Sequence, residues 1–470
     1  MPKYRYTENG RGSSVPTYRA SLRYILCAVP AFTTLMLLSG CQALFHASDA
    51  PFKNQPVTVA VSVPDTPPPA VAPVQLPDLP AAIPVKPKGT LQKNLLPTSD
   101  RAVTDPAVGA VTNGVSKAPL ARTVLTPRQP LTIADTVITN KTLSQDLVLK
   151  GTVLVEGVLV VPRQMTLRIE PGTVIRFMPA ATGRPSGSVH IAGRLLAQGT
   201  AAKPILLTAA YSDPQAGDWE GIRILSSKKK NILSFCHIDG AITGISAKES
   251  KLTIKGGSVS QCRDGMTLID STVVVSNGLM LKRCDRGIVM QRGTVVIYDA
   301  TLRENRLGLT AEQSAVTVQR SRISHNSQEG IVLSTSRYML EEVHLSQNRA
   351  GIAVTGGSGI LREGRITANR EAAISLKDTT AEIEQVLIMQ ERGTALILDT
   401  VQGRFHRSIV QHTGGAAVVA RHSEQFDASG SFWGSDDPTL VHRILAGEPP
   451  GPLEFRYQPY AVTPPFRIEP

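Results

Sequence analysis

Valine, isoleucine and threonine alternate with polar residues in short runs: "KLTIKG" at 251–256, "STVVVSN" at 271–277, "AVTVQRS" at 315–321. Period-2 alternation rich in β-branched residues predicts half-buried strands. A glycine phrase returns beside them, as "RDGMTL", "DRGIVM", "RLGLTA", "QEGIVL" and "NRAGIAV". Its glycine column is Gly221, Gly244, Gly265, Gly287, Gly308, Gly330 and Gly351, continued by Ala373, Ala395 and Ala417 at intervals of 21 to 23 residues. An aliphatic column keeps step: Ile238, Val259, Leu281, Leu302, Ile323, Leu345, Ile366, Ile388, Val410 and finally Phe432. Three residues after these stand Ala241, Cys262, Cys284, Asn305, Asn326, Asn348, Asn369, Glu391 and Thr413.

Columns that stay in phase over roughly 200 residues mark one structural unit stacked on copies of itself. A leucine-rich repeat has a similar period but requires an L-x-x-L-x-L phrase, which these units lack. Three short strands and three turns fit in about 22 residues, which is one rung of a parallel β-helix. The reading is therefore an all-β solenoid of about a dozen rungs, with Ile323, Leu345 and Ile366 stacked inward. Asn305, Asn326, Asn348 and Asn369 form a structural ladder, because side-chain amides about 4.8 Å apart can hydrogen-bond along the stack.

With these columns in place, the chain resembles the right-handed parallel β-helix repeat proteins, related in fold to pectate lyases. "MTLRIEPGTVIRF", "GSVHIAGRLLAQGTAAKPILLT" and "DWEGIRI" are similar to the first rungs of bacterial secreted members, and "SGSFWGSDDP" to the Trp-Gly phrase that closes them. The likeness covers about residues 131–440, with 441–470 as a cap or tail. It implies the fold and is nearly silent about activity, since lyases, hydrolases, epimerases, adhesins and non-enzymes share that fold.

The N-terminal 130 residues follow another pattern. Arg19 and Arg23 lead into "YILCAVPAFTTLMLLSG", about the length of a signal-peptide apolar region and short for a transmembrane helix. Leu38-Ser39-Gly40-Cys41 looks like the lipobox of bacterial lipoproteins, which implies a signal peptide over 1–40 and a lipidated Cys41. An ordinary secretory signal with a chance cysteine is the alternative. Gln42, where Asp would favour inner-membrane retention, favours the outer membrane, facing the periplasm or the surface. Residues 42–130 hold 16 of the 33 prolines without apolar periodicity. No core can form from them, so 41–130 reads as a lipidated N-terminus and disordered linker. Its reach would lie between roughly 50 Å as a coil and about 280 Å as polyproline II.

Composition adds constraints. Aromatics make up 4% of the chain, so the core must be built from aliphatic side chains. The formal charge is +12, but five basic residues and one glutamate lie in 1–40, leaving 45 Lys and Arg against 37 Asp and Glu. That surplus permits an acidic partner without demanding one. Five cysteines are too few for a disulfide-built scaffold; Cys262 and Cys284, neighbours in one column, are placed for either a bridge or two small buried fillers.

Candidate chemistry is sparse. Lyase chemistry of the pectate-lyase type needs several carboxylates on neighbouring rungs with an Arg to take the proton. Asp378 and Asp399, 21 residues apart, with Arg421 and His422 beyond, come nearest, but "KDTT" and "LDTV" also read as turns. His237, His325, His344, His406 and His412 are scattered along the repeat, so neither a metal nor another cofactor is expected. Arg263, Arg306, Arg349, Arg370 and Arg392 follow the ladder column directly. They form either a track for an acidic polysaccharide or a balanced surface with Glu329, Glu371 and Glu391. "SKKKN" at 227–231 reads as a solvated loop. These features point to a lipid-anchored envelope scaffold or acidic-polymer-binding module, partnered by polysaccharide or another envelope protein and not by nucleic acid. A polysaccharide lyase, hydrolase or epimerase is the alternative.

Overall fold

The computed structural model describes residues 128–179, 187–447 and 452–468, all within one compact unit. The stretch expected to be a signal peptide, Cys41 and the expected linker up to residue 127 lie outside the described residues. The remainder is nearly all strand: 31 strands joined by parallel pairings into a right-handed solenoid of about 13 turns.

One rung shows the construction. Leu307–Glu312 lies on what we term face A, Ala315–Gln319 on face B and Arg322–Ser324 on face C. Each pairs in parallel with the strand one rung on: Leu309 with Ile331, Val316 with Tyr338, Ile323 with Leu345. Alternation then sends one residue of every pair inward. The aliphatic column keeps its predicted register from Ile238 to Val410, and Ile323, Leu345 and Ile366 are buried. Its end differs from the sequence reading. Phe432 bridges to Ile409 and is half-exposed, while Trp433 turns inward against Phe405 with ring centroids 5.5 Å apart.

Corners are made by residues in the left-handed region. Between faces A and B these are Glu249, Asp270, Arg292, Gln313 and Thr335; between B and C, Asp299, Arg320, Glu342 and Glu363; between C and A, Arg283, Glu304, His325 and Gln347. Each such residue is strained by about 1–3 kcal/mol. Its amide is held by a carbonyl of the next rung, as Glu249 N donates to Ile269 O and Glu304 N to Ser324 O. The glycine column opens face A for a steric reason. A Cβ on Gly308 would lie 2.3 Å from Gly330 O and 3.0 Å from Ile323 Cγ2.

The C-terminal end is closed by a helix, α1 (Pro438–Ala446), which buries Val441, Leu445 and Ala446. Asp437 caps it, its side chain accepting from Thr439 N at 2.9 Å, with Pro438 in the first turn. Asp437-Pro438 ahead of "TLVHRILA" is the helix-start signal in the sequence. Beyond α1, residues 452–468 return across the last rungs, with Ala428 N on Arg456 O and Ala461 N on Ser431 O. No helix among the described residues is long and apolar enough to cross a membrane.

Candidate binding surface

The Asn ladder is continuous. Asn305 N donates to Asn326 Oδ1 (3.0 Å), Asn326 N to Asn348 Oδ1 (3.0 Å) and Asn348 N to Asn369 Oδ1 (3.1 Å). Each Nδ2 also reaches a carbonyl of the preceding rung, Asn348 Nδ2 meeting Ile323 O at 3.1 Å. The stack begins at Cys284 N, which donates to Asn305 Oδ1, and ends on Gln390, whose Oε1 accepts from Asn369 N at 2.8 Å. The expected occupant of that last position was Glu391. Strand Leu387–Gln390 runs one residue longer than its predecessors and shifts the column by one. A second ladder was missed. At corner A–B, Ser227 N donates to Ser250 Oγ, Ser250 N to Ser271 Oγ and Ser314 N to Ser336 Oγ. A column spacing search on serine alone would have found it.

The arginines beside the Asn ladder divide. Arg306 is bidentate on Asp285 (2.5 and 3.0 Å), which holds that carboxyl below its usual range. Arg349 pairs with Glu329 and Glu371, and Arg370 donates to Ser327 O at 3.0 Å. Arg263 and Arg392 make no ion pair among the described residues. Alternating charges along this corner therefore neutralise its centre, as they do at Arg292–Asp270 and Arg320–Asp299 on the other corners.

Asp378 and Asp399 do not share a column. Asp399 registers with Lys377 and Arg421, whereas Asp378 occupies the left-handed corner one position on, in line with Thr400 and His422. Lys377 Nζ lies 2.9 Å from Asp399 Oδ2, and that hydrogen bond lowers the carboxyl pKa.

Cys262 and Cys284 are free thiols, buried on adjoining rungs and donating to Ser260 O and Lys282 O. Burial pushes the Cys236 thiol up to about 12. His237 bonds Ser258 and His406 faces Glu384; the five histidines stay apart. Among the described residues no three His, Cys, Asp or Glu side chains converge to hold a metal ion.

Face A presents a different surface. Its central outward column is Ser246, Thr267, Val289, Thr310, Val332 and Ala353, all short and half-buried. The Thr267 and Thr310 hydroxyls are buried without a hydrogen-bond partner. Charged groups border the strip: Arg286 bidentate on Asp264 on one side, Gln291 donating to Glu312 on the other.

Residues 226–390 and 293–424 match the family model described as periplasmic copper-binding protein (NosD). Residues 140–259 match the pectate-lyase like beta helix domain. Among the described residues no group of three or more His, Cys, Asp or Glu is placed to hold a copper ion. No curated protein matches the chain. Among solved structures, the periplasmic alginate epimerase AlgG is similar at 11% identity over 61% of this chain and 78% of that one, TM-score 0.33. The A-module of mannuronan C-5 epimerase AlgE6 from Azotobacter vinelandii is similar at 13% over 63% and 91%, TM-score 0.32. PfbA, a surface adhesin of Streptococcus pneumoniae, is similar at 9% over 60% and 81%, TM-score 0.34. Register, corner geometry and family matches agree on architecture: the chain is a right-handed parallel β-helix repeat protein.

Proposed function

We propose that the protein is a lipid-anchored envelope scaffold whose β-helix binds a linear polysaccharide along face A without cleaving it. The observation that carries this is the strip itself, where hydroxyl and aliphatic side chains alternate over the four rungs Thr267, Val289, Thr310 and Val332. Thr267 and Thr310 stand two rungs apart, about 10 Å, with Val289 between them. Buried hydroxyls without partners are uncommon. A χ1 rotation of these half-exposed side chains would give each oxygen a partner on a bound sugar, while the valines supply apolar contact. A solenoid offers such a strip over its whole length, which suits an extended chain. The lysine bond to Asp399 favours binding over turnover, since it ties up the carboxylate nearest to catalytic placement.

Envelope location and anchoring rest on Leu38-Ser39-Gly40-Cys41 and on the match to a periplasmic family. Cys41→Ser should release the protein from membranes; retention through carbonate washing would end the lipoprotein reading. For face A, the test is retention on immobilised glycans, read together with the appearance of new reducing or unsaturated ends. Val332→Arg and Thr310→Trp should abolish retention without lowering thermal stability. New chain ends on prolonged incubation would replace the scaffold by a lyase or hydrolase.

A further inference from the structure

Many cations of this solenoid meet carboxylates of neighbouring rungs: Arg286 with Asp264, Arg292 with Asp270, Arg306 with Asp285, Arg320 with Asp299, Arg362 with Glu341. A group around corner A–B of the earlier rungs does not. Arg163, Lys228, Lys229, Lys230, Lys248 and Lys251 are exposed and form no ion pair among the described residues.

These residues converge. Arg163, Lys228 and Lys229 line a cleft of 360 Å3 with Ala192, Ser226 and Glu249. Lys230 and Lys251 are register partners on successive rungs of face B, and Lys248 ends the face A strand just before the same corner. Glu249 is the carboxylate in the cleft, and its Oε2 accepts from Ser226 Oγ at 2.9 Å. The next carboxylate along the corner, Asp270, is occupied by Arg292 through two hydrogen bonds.

The lysines of "SKKKN" are exposed, as the sequence reading has them, and the loop that carries them is held from beneath. Asn231 is fully buried beneath it, its Oδ1 accepting from Leu195 N at 2.9 Å. Its Nδ2 donates to Ser227 Oγ, Lys229 O and Lys251 O at 3.0–3.1 Å. Buried Ser227 in turn donates to Gly193 O at 2.5 Å. Three rungs are thus tied together, which fixes the backbone from which the lysine side chains extend. Arrangement before binding reduces the ordering cost of a ligand.

We propose that this corner binds the acid groups of a polyanionic glycan of the polyuronate class. Lys230 and Lys251, one rung or about 4.8 Å apart, suit a polymer that carries charges on successive sugars. Lys248 sits beside the Ser246 end of the face A strip, so one chain can follow the strip and enter the cleft. The inference rests on the polysaccharide-binding reading of face A and names the charge class of its ligand.

The experiment measures binding of polygalacturonate oligosaccharides, a neutral glucan of equal length and anionic lipid vesicles across a salt series. Wild type should bind polygalacturonate best, with affinity falling as salt rises through counterion release. Replacing Lys228, Lys229 and Lys251 together by Gln should weaken that binding by about tenfold or more and flatten the salt slope by roughly one unit per lost contact. The melting temperature should be unchanged, and the Arg349, Arg370 and Arg392 triple change to Gln should leave binding intact. Unchanged affinity and slope in the lysine variant would overturn the proposal, as would binding to vesicles in preference to polygalacturonate. Equal binding of both glycans, abolished by Val332→Arg, would sink the charge assignment and spare the face A reading. No glycan binding at all would sink both.

Discussion

Asn348 shows what one repeated side chain does. Its Oδ1 accepts from both the backbone N and the Nδ2 of Asn326, and its Nδ2 donates to Ile323 O and Asn369 Oδ1. Asn348→Leu strands partners on both sides and should cost about 1–3 kcal/mol, read by chemical denaturation. Gln in place of Arg349, Arg370 and Arg392 should change stability far less, because exposed ion pairs contribute about 0–1 kcal/mol each. A large loss there would mean that these guanidinium groups organise the corner. The asparagine column was legible from spacing because the requirement is identical in every rung. Gln390 was not, since one extra strand residue moves the column and only the folded register reveals it.

Elements here are held by stacking rather than by their own length, many strands on face C being three residues long. Their inward side chains carry the stability: Leu302, Ile323, Leu345 and Ile366 are all at most 1% exposed. Leu345→Asp removes a buried aliphatic chain and strands a charge between Ile323 and Ile366. It should cost at least about 3 kcal/mol and unfold neighbouring rungs first, visible as lost amide-exchange protection around 323 and 366. Near wild-type melting would place this column on the wrong face. Gly308→Val tests a different contact. The new Cβ meets the Gly330 carbonyl, a backbone atom that cannot swing away, so about 1–3 kcal/mol should be lost. Strand identity was readable from alternation; most of the left-handed corners were not. Asp270, Asp299 and Asp378 carry a turn-forming residue there, but Glu, Arg, Gln and Thr hold many of the others and give no local turn signal.

At the scale of the molecule, acid should unfold the solenoid. Asp270, Asp285, Glu304 and Asp399 have pKa values lowered by Arg292, Arg306, Arg283 and Lys377, and hydrogen bonds to Ser429 lower Asp427. A carboxyl with a depressed folded pKa stabilises above its unfolded value and loses that contribution as pH falls through the folded one. His190, His344 and His412, lowered chiefly by burial, act in the same direction below about pH 6.5. Asp239, raised by burial, opposes them. Melting temperature should therefore decline in two stages on acidification, through the histidines and then below about pH 4. A profile flat to pH 3 would show that the corner ion pairs stabilise nothing. Deleting 438–468 should expose Trp433 and the last rung, producing concentration-dependent self-association in light scattering.

Sequence alone determined the repeat, its period, the inward aliphatic column and the amide ladder. Each of these is one local requirement imposed again in every rung, so repetition makes it visible. The third dimension decided what depends on a single juxtaposition. It separated Asp378 from Asp399, paired Arg306 and Arg349 with acids from neighbouring rungs, turned Trp433 inward in place of Phe432, and clamped the lysine loop over Asn231. Those outcomes depend on which residues of different rungs meet across about 5 Å, and a shift of one residue in register changes every such pairing.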